Sequence, residues 1–343
     1  MLEPDQILCD RYQLKRKLGQ APGRQTWLAT DLSINLDNDD PNSDLKATVV
    51  VKLLAFGSDT MHWDDLKLFQ REAQVLQQLR HPHLPTYRDS FTIEDRLYWF
   101  CLVQDYIPGS SLKQLLDKGD RFTEQQIFQI GINILHLLAY LHELSPPILH
   151  RDIKPSNLIL GEDDYIYLID FGAVQDRAAV EGASFTVVGS YGYAPMEQFG
   201  GRAVPASDLY ALGATLIHLL TGVPPAELPQ EGLRIQFAEG LSVDPLLIEW
   251  IKRLTEPDVR QRFQTAQAAL DALRSPNSIA LTFSGSNTRE HVSANLPSVR
   301  PPANTRITLH QTDDHLVIQI PGTNPWQLVL LFPLGITLSM LLP

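Results

Sequence analysis

Residues 150–157 read His150-Arg151-Asp152-Ile153-Lys154-Pro155-Ser156-Asn157, and Asp170-Phe171-Gly172 begins thirteen residues after Asn157. Three polar side chains, Asp152, Lys154 and Asn157, thus lie within six residues, and the second aspartate follows the first by eighteen. Carboxylate and amide oxygens bind hard cations, and a lysine balances phosphate charge. This set of side chains indicates a site that holds a metal-bound nucleotide and orients a hydroxyl for phosphoryl transfer.

A strand followed by a helix precedes this stretch. Val49-Val50-Val51 is a β-branched run typical of a buried strand, and Lys52 follows it directly. Glu72 lies twenty residues further on, in a segment whose apolar residues recur at helical spacing: Leu66, Phe69, Ala73, Leu76 and Leu79. The spacing therefore predicts a helix over 64–79 that carries an acidic residue.

Because these motifs occur in the right order and at the right spacing, the chain over 11–274 resembles a bacterial eukaryotic-like (Hanks-type) serine/threonine protein kinase. The resemblance implies an α+β, two-lobed protein kinase fold. A small antiparallel β-sheet lobe with one helix is expected over 1–107, and a larger, mainly helical lobe over 108–274. A linker with a small hairpin (275–325) and an apolar segment (326–343) would follow.

The resemblance assigns a role to each polar residue named so far. Asp152 would accept the proton of the substrate hydroxyl, and Lys154 would neutralise the γ-phosphate. Asn157 and Asp170 would ligate Mg²⁺. Lys52 would contact the α- and β-phosphates of ATP, and an ion pair with Glu72 would fix the small-lobe helix in its active position. His150 is expected to be a packed structural residue.

The adenine site is assigned by register within the same resemblance. Its expected residues form the roof (Leu18, Val50), the floor (Ile159) and the hinge (Asp105, Tyr106, Ile107), with Gln104 at the gatekeeper position. The glycine-rich loop departs from the family pattern. Gly19 is in register, but Ala21 and Arg24 replace the second and third glycines, and Thr26 replaces the usual valine. Arg24 could supply a phosphate contact, or the loop could bind nucleotide weakly, which leaves a pseudokinase scaffold as the alternative.

The segment after Asp170 carries further family features. Arg151 implies regulation by a phosphate on the activation loop, for which Ser184 and Thr186 are the candidates. Ser190 matches the hydroxyl that contacts the catalytic residues of Ser/Thr-specific kinases. Glu197 would pair with Arg262, and Asp208 would hold the catalytic loop. These structural features argue against a small-molecule phosphotransferase.

Composition limits the other possibilities. The chain has 343 residues and a formal net charge of -12, which argues against nucleic acid as a partner. Two cysteines, Cys9 and Cys101, give no disulfide framework and indicate a cytoplasmic kinase domain. Residues 1–10 contain no apolar run, so no secretory signal is expected. Protein substrates are expected, whereas the oligomeric state cannot be deduced.

The segment 326–343 contains no charged residue. As a helix it would extend about 27 Å, close to the thickness of a hydrocarbon core. It is therefore either a candidate membrane anchor or a buried C-terminal helix, although Pro333 and Gly335 weaken a straight helix.

Local signals predict several elements. A hairpin is expected from strands at 12–18 and 26–31, a loop over 32–48, and further strands at 85–92 and 97–106. Thr123 and Gln126 form a capping box that opens a long helix to about Leu144. Ser207 is the expected cap of a second helix, which Gly222 ends. The last helix is expected over 266–273, and a weak hairpin at 306–310 and 315–320.

Overall fold

The computed structural model describes residues 2–34, 43–56, 63–94, 98–176 and 189–274, together with the backbone of three later strands at 308–311, 315–320 and 328–333. The chain forms two compact units, Met1–Gly285 and Ser286–Pro343. Within the described residues, no helix is both long and apolar enough to cross a membrane.

The first unit begins with an antiparallel sheet of six strands in the order β1-β2-β3-β4-β6-β5. A short helix precedes β4, and a longer one joins β4 to β5. The bounds are β1 Ile7–Leu8, β2 Tyr12–Ala21, β3 Arg24–Asp31, α1 Ser43–Ala47, β4 Thr48–Phe56, α2 Trp63–Gln78, β5 Tyr87–Glu94 and β6 Tyr98–Asp105.

Side-chain burial explains the strands of this sheet. Every second residue of β3 is buried, including Trp27 and Ala29, as expected for a strand with one face on the core. The β-branched β4 is buried on both faces, because it lies centrally between β3 and β6. The predicted hairpin, the strands at 85–92 and 97–106, and the helix over 64–79 are all confirmed, with small shifts at their ends.

The rest of this unit is mainly helical. Short strands lie near the catalytic stretch, and four longer helices pack around one apolar core. The bounds are β7 Gly109–Ser111, α3 Leu112–Asp117, α4 Glu124–Glu143, β8 Ile148–Leu149, β9 Leu158–Gly161, β10 Ile166–Leu168, β11 Gln175–Asp176, α5 Met196–Phe199, α6 Pro205–Thr221, β12 Gln230–Glu231, β13 Arg234–Ile235, α7 Pro245–Leu254 and α8 Ala266–Arg274.

Helix ends test the predicted caps. The Thr123 hydroxyl accepts from the Gln126 amide, and the Gln126 side chain accepts from the Thr123 amide, so the predicted capping box opens α4. Gly222 ends α6 in the left-handed conformation, as expected. The prediction that Ser207 caps α6 is wrong: Pro205 occupies the first helical position and starts the helix earlier. Ser207 lies inside the first turn and accepts from the Val204 amide at 3.1 Å.

The second unit contains a three-stranded antiparallel sheet. Its strands are β14 Thr308–Gln311, β15 His315–Ile320 and β16 Leu328–Pro333. The pairing of β14 with β15 confirms the hairpin predicted at 306–310 and 315–320. The prediction of a helix within 326–343 is wrong over residues 328–333, which pair with β15 instead. The remainder of 326–343, the linker over 275–304, and Ser184 and Thr186 lie outside the described residues.

Candidate active site

The catalytic stretch forms one hydrogen-bonded group around Asp152. Lys154 Nζ lies 2.8 Å from Asp152 Oδ2, and Asn157 Nδ2 donates to the same oxygen at 3.0 Å and to the Asp152 carbonyl at 2.8 Å. The Ser190 hydroxyl donates to Asp152 Oδ1 at 2.8 Å and accepts from Lys154 Nζ at 2.6 Å. Two side chains of the same stretch, together with Ser190 from further along the chain, are therefore fixed around one carboxylate, as the resemblance implied.

Asp208 holds the backbone of this stretch from α6. Its carboxylate accepts the amides of His150 at 2.9 Å and Arg151 at 2.7 Å, and contacts His142 Nε2 at 2.9 Å. Asp208 is fully buried, yet these contacts lower its pKa against the opposing effect of burial. Arg151 has a φ of +66°, a costly conformation for a residue with a side chain. The two amide bonds hold the backbone in that conformation.

His150 is a packed residue, as predicted. It is fully buried, and its ring lies edge-on to Phe171 at 5.0 Å between centroids. Burial lowers its pKa, so the ring is neutral near pH 7. Its Nε2 lies 3.2 Å from the Ile169 carbonyl, which ties the catalytic stretch to the segment before Asp170.

Lys52 lies between two carboxylates. Its Nζ donates to Glu72 Oε1 at 2.5 Å and to Asp170 Oδ1 at 3.1 Å. Burial alone would lower the pKa of Lys52, but the two acidic neighbours raise it above its ordinary value, so the ammonium is charged. The Lys52 charge in turn lowers the pKa of Asp170 to about 2. The expected ion pair is present, and α2 is held against the sheet.

Asp170 and Asn157 are suitable ligands for a hard cation. The Asp170 carboxylate is ionised, its side chain is 47% exposed, and only its Oδ1 is used in the contact with Lys52 that the structure shows. The Asn157 amide nitrogen donates to Asp152, and the Asn157 Oδ1 accepts from the Ser156 hydroxyl at 3.2 Å. The Ile169 amide donates to the Asn157 carbonyl at 2.9 Å and links the two candidate ligands. One carboxylate and one amide are compatible with Mg²⁺ that is otherwise held by phosphates and water.

The expected adenine-site residues come from both lobes. Val50 is buried on β4 opposite Gln104 of β6, and Leu18 on β2 is 39% exposed. Ile159 lies half-buried on β9. Of the hinge residues, Asp105 ends β6 and Tyr106 and Ile107 follow it; all three are half-buried.

Contacts around the hinge fix its side chains. The Asp105 carboxylate is ion-paired with Arg88, and its amide donates to the Thr86 carbonyl at 2.9 Å. Gln104 is only 3% exposed, and its Oε1 has no hydrogen-bond partner among the described residues.

The altered glycine-rich loop is a tight hairpin. β2 and β3 pair up to Ala21 and Arg24, leaving Pro22 and Gly23 as a two-residue turn. Gly23 has a φ of +68°, which suits the second central position of a type II turn, and proline suits the first. Arg24, a candidate phosphate contact, is ion-paired with Asp65 of α2 at 2.6 Å. The hairpin tip is thus connected to the helix that carries Glu72.

The end of the activation segment is held by two buried contacts. Glu197 and Arg262 form the expected pair, with Arg262 Nη1 2.6 Å from Glu197 Oε1 and Nη2 3.2 Å from Oε2. Gln198, which is 1% exposed, donates to the Arg151 carbonyl at 2.6 Å. Arg151 itself is buried, its pKa is lowered by that burial, and its Nε has no partner within the described residues.

Sequence reasoning missed two residues that support the site. His142 contacts Asp208, and its position on the apolar face of α4 was the available signal. Gln198 was not recognised, because a glutamine after the Glu197 motif has no distinctive pattern. Gly189 explains the close approach of Gln198: a Cβ at Gly189 would lie 2.5 Å from Gln198 Nε2.

The comparisons with known proteins agree with this geometry. The protein kinase domain family matches residues 42–272, so β2 and β3 precede the match. The chain is 36% identical over 282 residues to serine/threonine-protein kinase B of Synechocystis sp., covering 78% of this chain and 46% of that protein. It is 35% identical over 283 residues to serine/threonine-protein kinase PknA of Nostoc sp., covering 79% and 48%.

The chain spans about half the length of these curated relatives. The family match nevertheless covers most of the chain, and the two lobes and the catalytic stretch have the predicted arrangement. The chain therefore belongs to the protein kinase domain family.

Proposed function

We propose that this chain transfers the γ-phosphate of ATP to serine and threonine hydroxyls of proteins. The observation that carries the proposal is the position of Ser190, whose hydroxyl bridges the carboxylate of Asp152 and the ammonium of Lys154. A serine in this bridge fixes the two groups that must meet the incoming hydroxyl and the γ-phosphate. Positioning of this kind supplies much of the rate enhancement in phosphoryl transfer.

Each residue has a defined part in the reaction. Asp152 accepts the proton of the substrate hydroxyl while the oxygen of that hydroxyl bonds to the γ-phosphorus. At the same time the bond between the γ-phosphorus and the β-γ bridging oxygen breaks, and ADP is the leaving group. Lys154 balances charge on the transferred group, and Lys52, oriented by Glu72, holds the α- and β-phosphates. Ser190 and Asn157 keep the Asp152 carboxylate in its orientation.

We also propose Mg²⁺ as the metal and Asn157 and Asp170 as its protein ligands. When bound, the ion would neutralise charge between the β- and γ-phosphates. The supporting observations are the ionised, partly exposed Asp170 carboxylate and the backbone hydrogen bond from Ile169 to Asn157, which joins the two segments that carry the candidate ligands. Asp170→Asn should weaken nucleotide binding in the presence of Mg²⁺ and leave nucleotide binding without Mg²⁺ nearly unchanged. Titration calorimetry under the two conditions measures this difference.

The proposal also includes the boundaries of the two lobes and the cellular compartment. We propose lobes at 1–107 and 108–274, since the hinge follows β6 and the helical part begins beyond it. We propose the cytoplasm as the compartment, because Cys9 is an exposed free thiol and ATP is supplied there. The described part of 326–343 is a strand and not a helix, so the structure gives no support for a helical membrane anchor there.

The test is transfer of radiolabel from γ-labelled ATP by the full chain to itself and to a generic protein substrate. Asp152→Asn and Lys52→Met should each abolish transfer. Asp117→Asn and Lys113→Met are the matched controls, because these two residues form an exposed pair on α3 and should leave transfer unchanged.

Binding without transfer would favour the pseudokinase scaffold instead. Nothing in the described residues favours that alternative. Lys52 contacts both Glu72 and Asp170, and Asp152 contacts both Lys154 and Asn157, as expected for an active kinase. Wild-type chain that binds nucleotide but transfers no label would contradict the proposed activity.

A further inference from the structure

An apolar groove lies where the starts of α4 and α7 meet the end of α8. It encloses about 410 Å³. Phe128 of α4 and Leu246 of α7 line it and are 37% and 41% exposed, whereas Leu247 and Ala272 lie deeper and are buried. Large apolar side chains that are exposed together around a concave surface indicate a docking site.

The end of α8 lies at this groove. Leu273, which is the penultimate residue of α8, lines the groove, and the next residue ends the helix. The following residues, 275–288, read SPNSIALTFSGSNT and carry no charge. Their large apolar residues are Ile279, Leu281 and Phe283, which alternate with Ala280 and Thr282. In an extended conformation, residues two apart project to the same face, so these three side chains would share one apolar edge.

The length of the connection permits the contact. Five residues from Arg274 to Ile279 span at most about 17 Å, and a chain this short keeps its apolar edge near the groove at high effective concentration. Ser275 and Pro276 favour an end to the helix at this point, which frees the chain to turn back.

Negative charge at the rim of the groove favours this uncharged segment over a second copy of the chain as the occupant. Glu124 and Asp244 line the groove, and both are engaged within the protein. Glu124 accepts from the Asp244 amide at 3.2 Å, and Asp244 caps α7 by accepting from the Leu246 amide at 2.8 Å. A symmetric dimer would bring these carboxylates towards their own copies, in a chain of net charge -12. An uncharged segment meets no such repulsion.

We propose that residues 279–283 dock in this groove, with Ile279, Leu281 and Phe283 against Phe128, Leu246 and Leu273. The proposal does not depend on the catalytic activity.

A cysteine cross-link tests the proposal in the full chain. Cys9→Ser removes the exposed native thiol, and Cys101 is buried and stays. Phe128→Cys combined with Phe283→Cys should form a disulfide within one chain under mild oxidation, identified by peptide mass spectrometry. The control replaces Phe128→Cys by Gln267→Cys, which is exposed on α8, close in sequence to the segment, but does not line the groove.

Three results are possible. Preferential cross-linking at Phe128, independent of protein concentration, would support the proposal. Equal cross-linking at Phe128 and Gln267 would overturn it, because it would indicate contact by tethering alone. Disulfides between chains that increase with protein concentration would also overturn it and would assign the groove to a second copy.

A second measurement covers the case in which the cross-link perturbs folding. With Phe128→Cys and Cys9→Ser alone, the rate of maleimide alkylation reports how often the groove is open. If the segment covers the groove about nine-tenths of the time, replacing Ile279, Leu281 and Phe283 by serine should raise the rate about tenfold. An unchanged rate, with circular dichroism showing an intact fold, would refute the proposal.

Discussion

Arg262→Met should destabilise the helical lobe strongly, because Arg262 is fully buried and makes charged contacts there. Its guanidinium is bidentate to Glu197 and donates to the carbonyls of Pro257 at 3.0 Å and Ala206 at 3.2 Å. Methionine fills similar space but leaves a largely buried carboxylate without its partner. Breaking such a pair costs about 3–5 kcal/mol of unfolding free energy.

The assay is equilibrium unfolding of the full chain by urea, with a thermal scan beside it. The expected loss corresponds to a fall in Tm of about 6–20 °C for a domain of this size. Arg234→Met is the matched control: Arg234 is ion-paired with Glu256 but its side chain is 60% exposed. It should cost about 0–1 kcal/mol.

A double variant separates the charge from the packing. Arg262→Met with Glu197→Gln removes the uncompensated carboxylate, so it should be more stable than Arg262→Met alone. The reasoning fails if Arg262→Met costs no more than Arg234→Met, or if the double variant loses the sum of both single changes.

Three further predictions use other contacts. Asp31 is buried, and its hydrogen bonds with Arg11 lower its pKa to about 2. The ionised Asp31 therefore stabilises the folded state above pH about 4, and this contribution is lost as the pH falls towards 2. The gap in unfolding free energy between wild type and Asp31→Asn, about 2 kcal/mol at pH 6, should close towards pH 2 in urea titrations. Gly213→Ala should cost about 1–3 kcal/mol, because its Cβ would lie 2.6 Å from Thr255 Cγ2, whereas Gly19→Ala, with 3.9 Å to its nearest neighbour, should barely change Tm. Arg24→Ala should change stability by less than about 1 kcal/mol, since its pair with Asp65 is exposed, and a larger loss in thermal scans would contradict that assignment.

The catalytic centre could be predicted because its residues occur in a compact pattern. Asp152, Lys154 and Asn157 are close in sequence, and the spacing to Asp170 is distinctive. Lys52 and Glu72 could be paired because the family resemblance implies that pair, while the β-branched strand and the helical spacing predicted the elements that carry them. Each of these patterns lies within a short stretch of sequence, and the fold brings those stretches together.

Other features depended on contacts that no local pattern reveals. The short helix α3 and the helix α7 were not predicted, although Asp244 and Pro245 mark the start of α7. Ser207 was assigned as a cap because its hydroxyl suits that role, but Pro205 set the start of the helix. The uncharged segment at 326–343 suggested a helix by composition alone, whereas β15 supplied a partner strand for part of it.

The two-residue turn at Pro22 and Gly23 has a consequence for nucleotide exchange. The ladder between β2 and β3 continues to the turn itself, and the Gly23 carbonyl accepts from the Ala55 amide of β4 at 2.8 Å. Few backbone torsions are therefore free at the tip. For the proposed transfer reaction, we expect ADP to leave when the whole β-ribbon moves with its neighbouring strand, so the stiffness of the sheet would affect the rate of turnover.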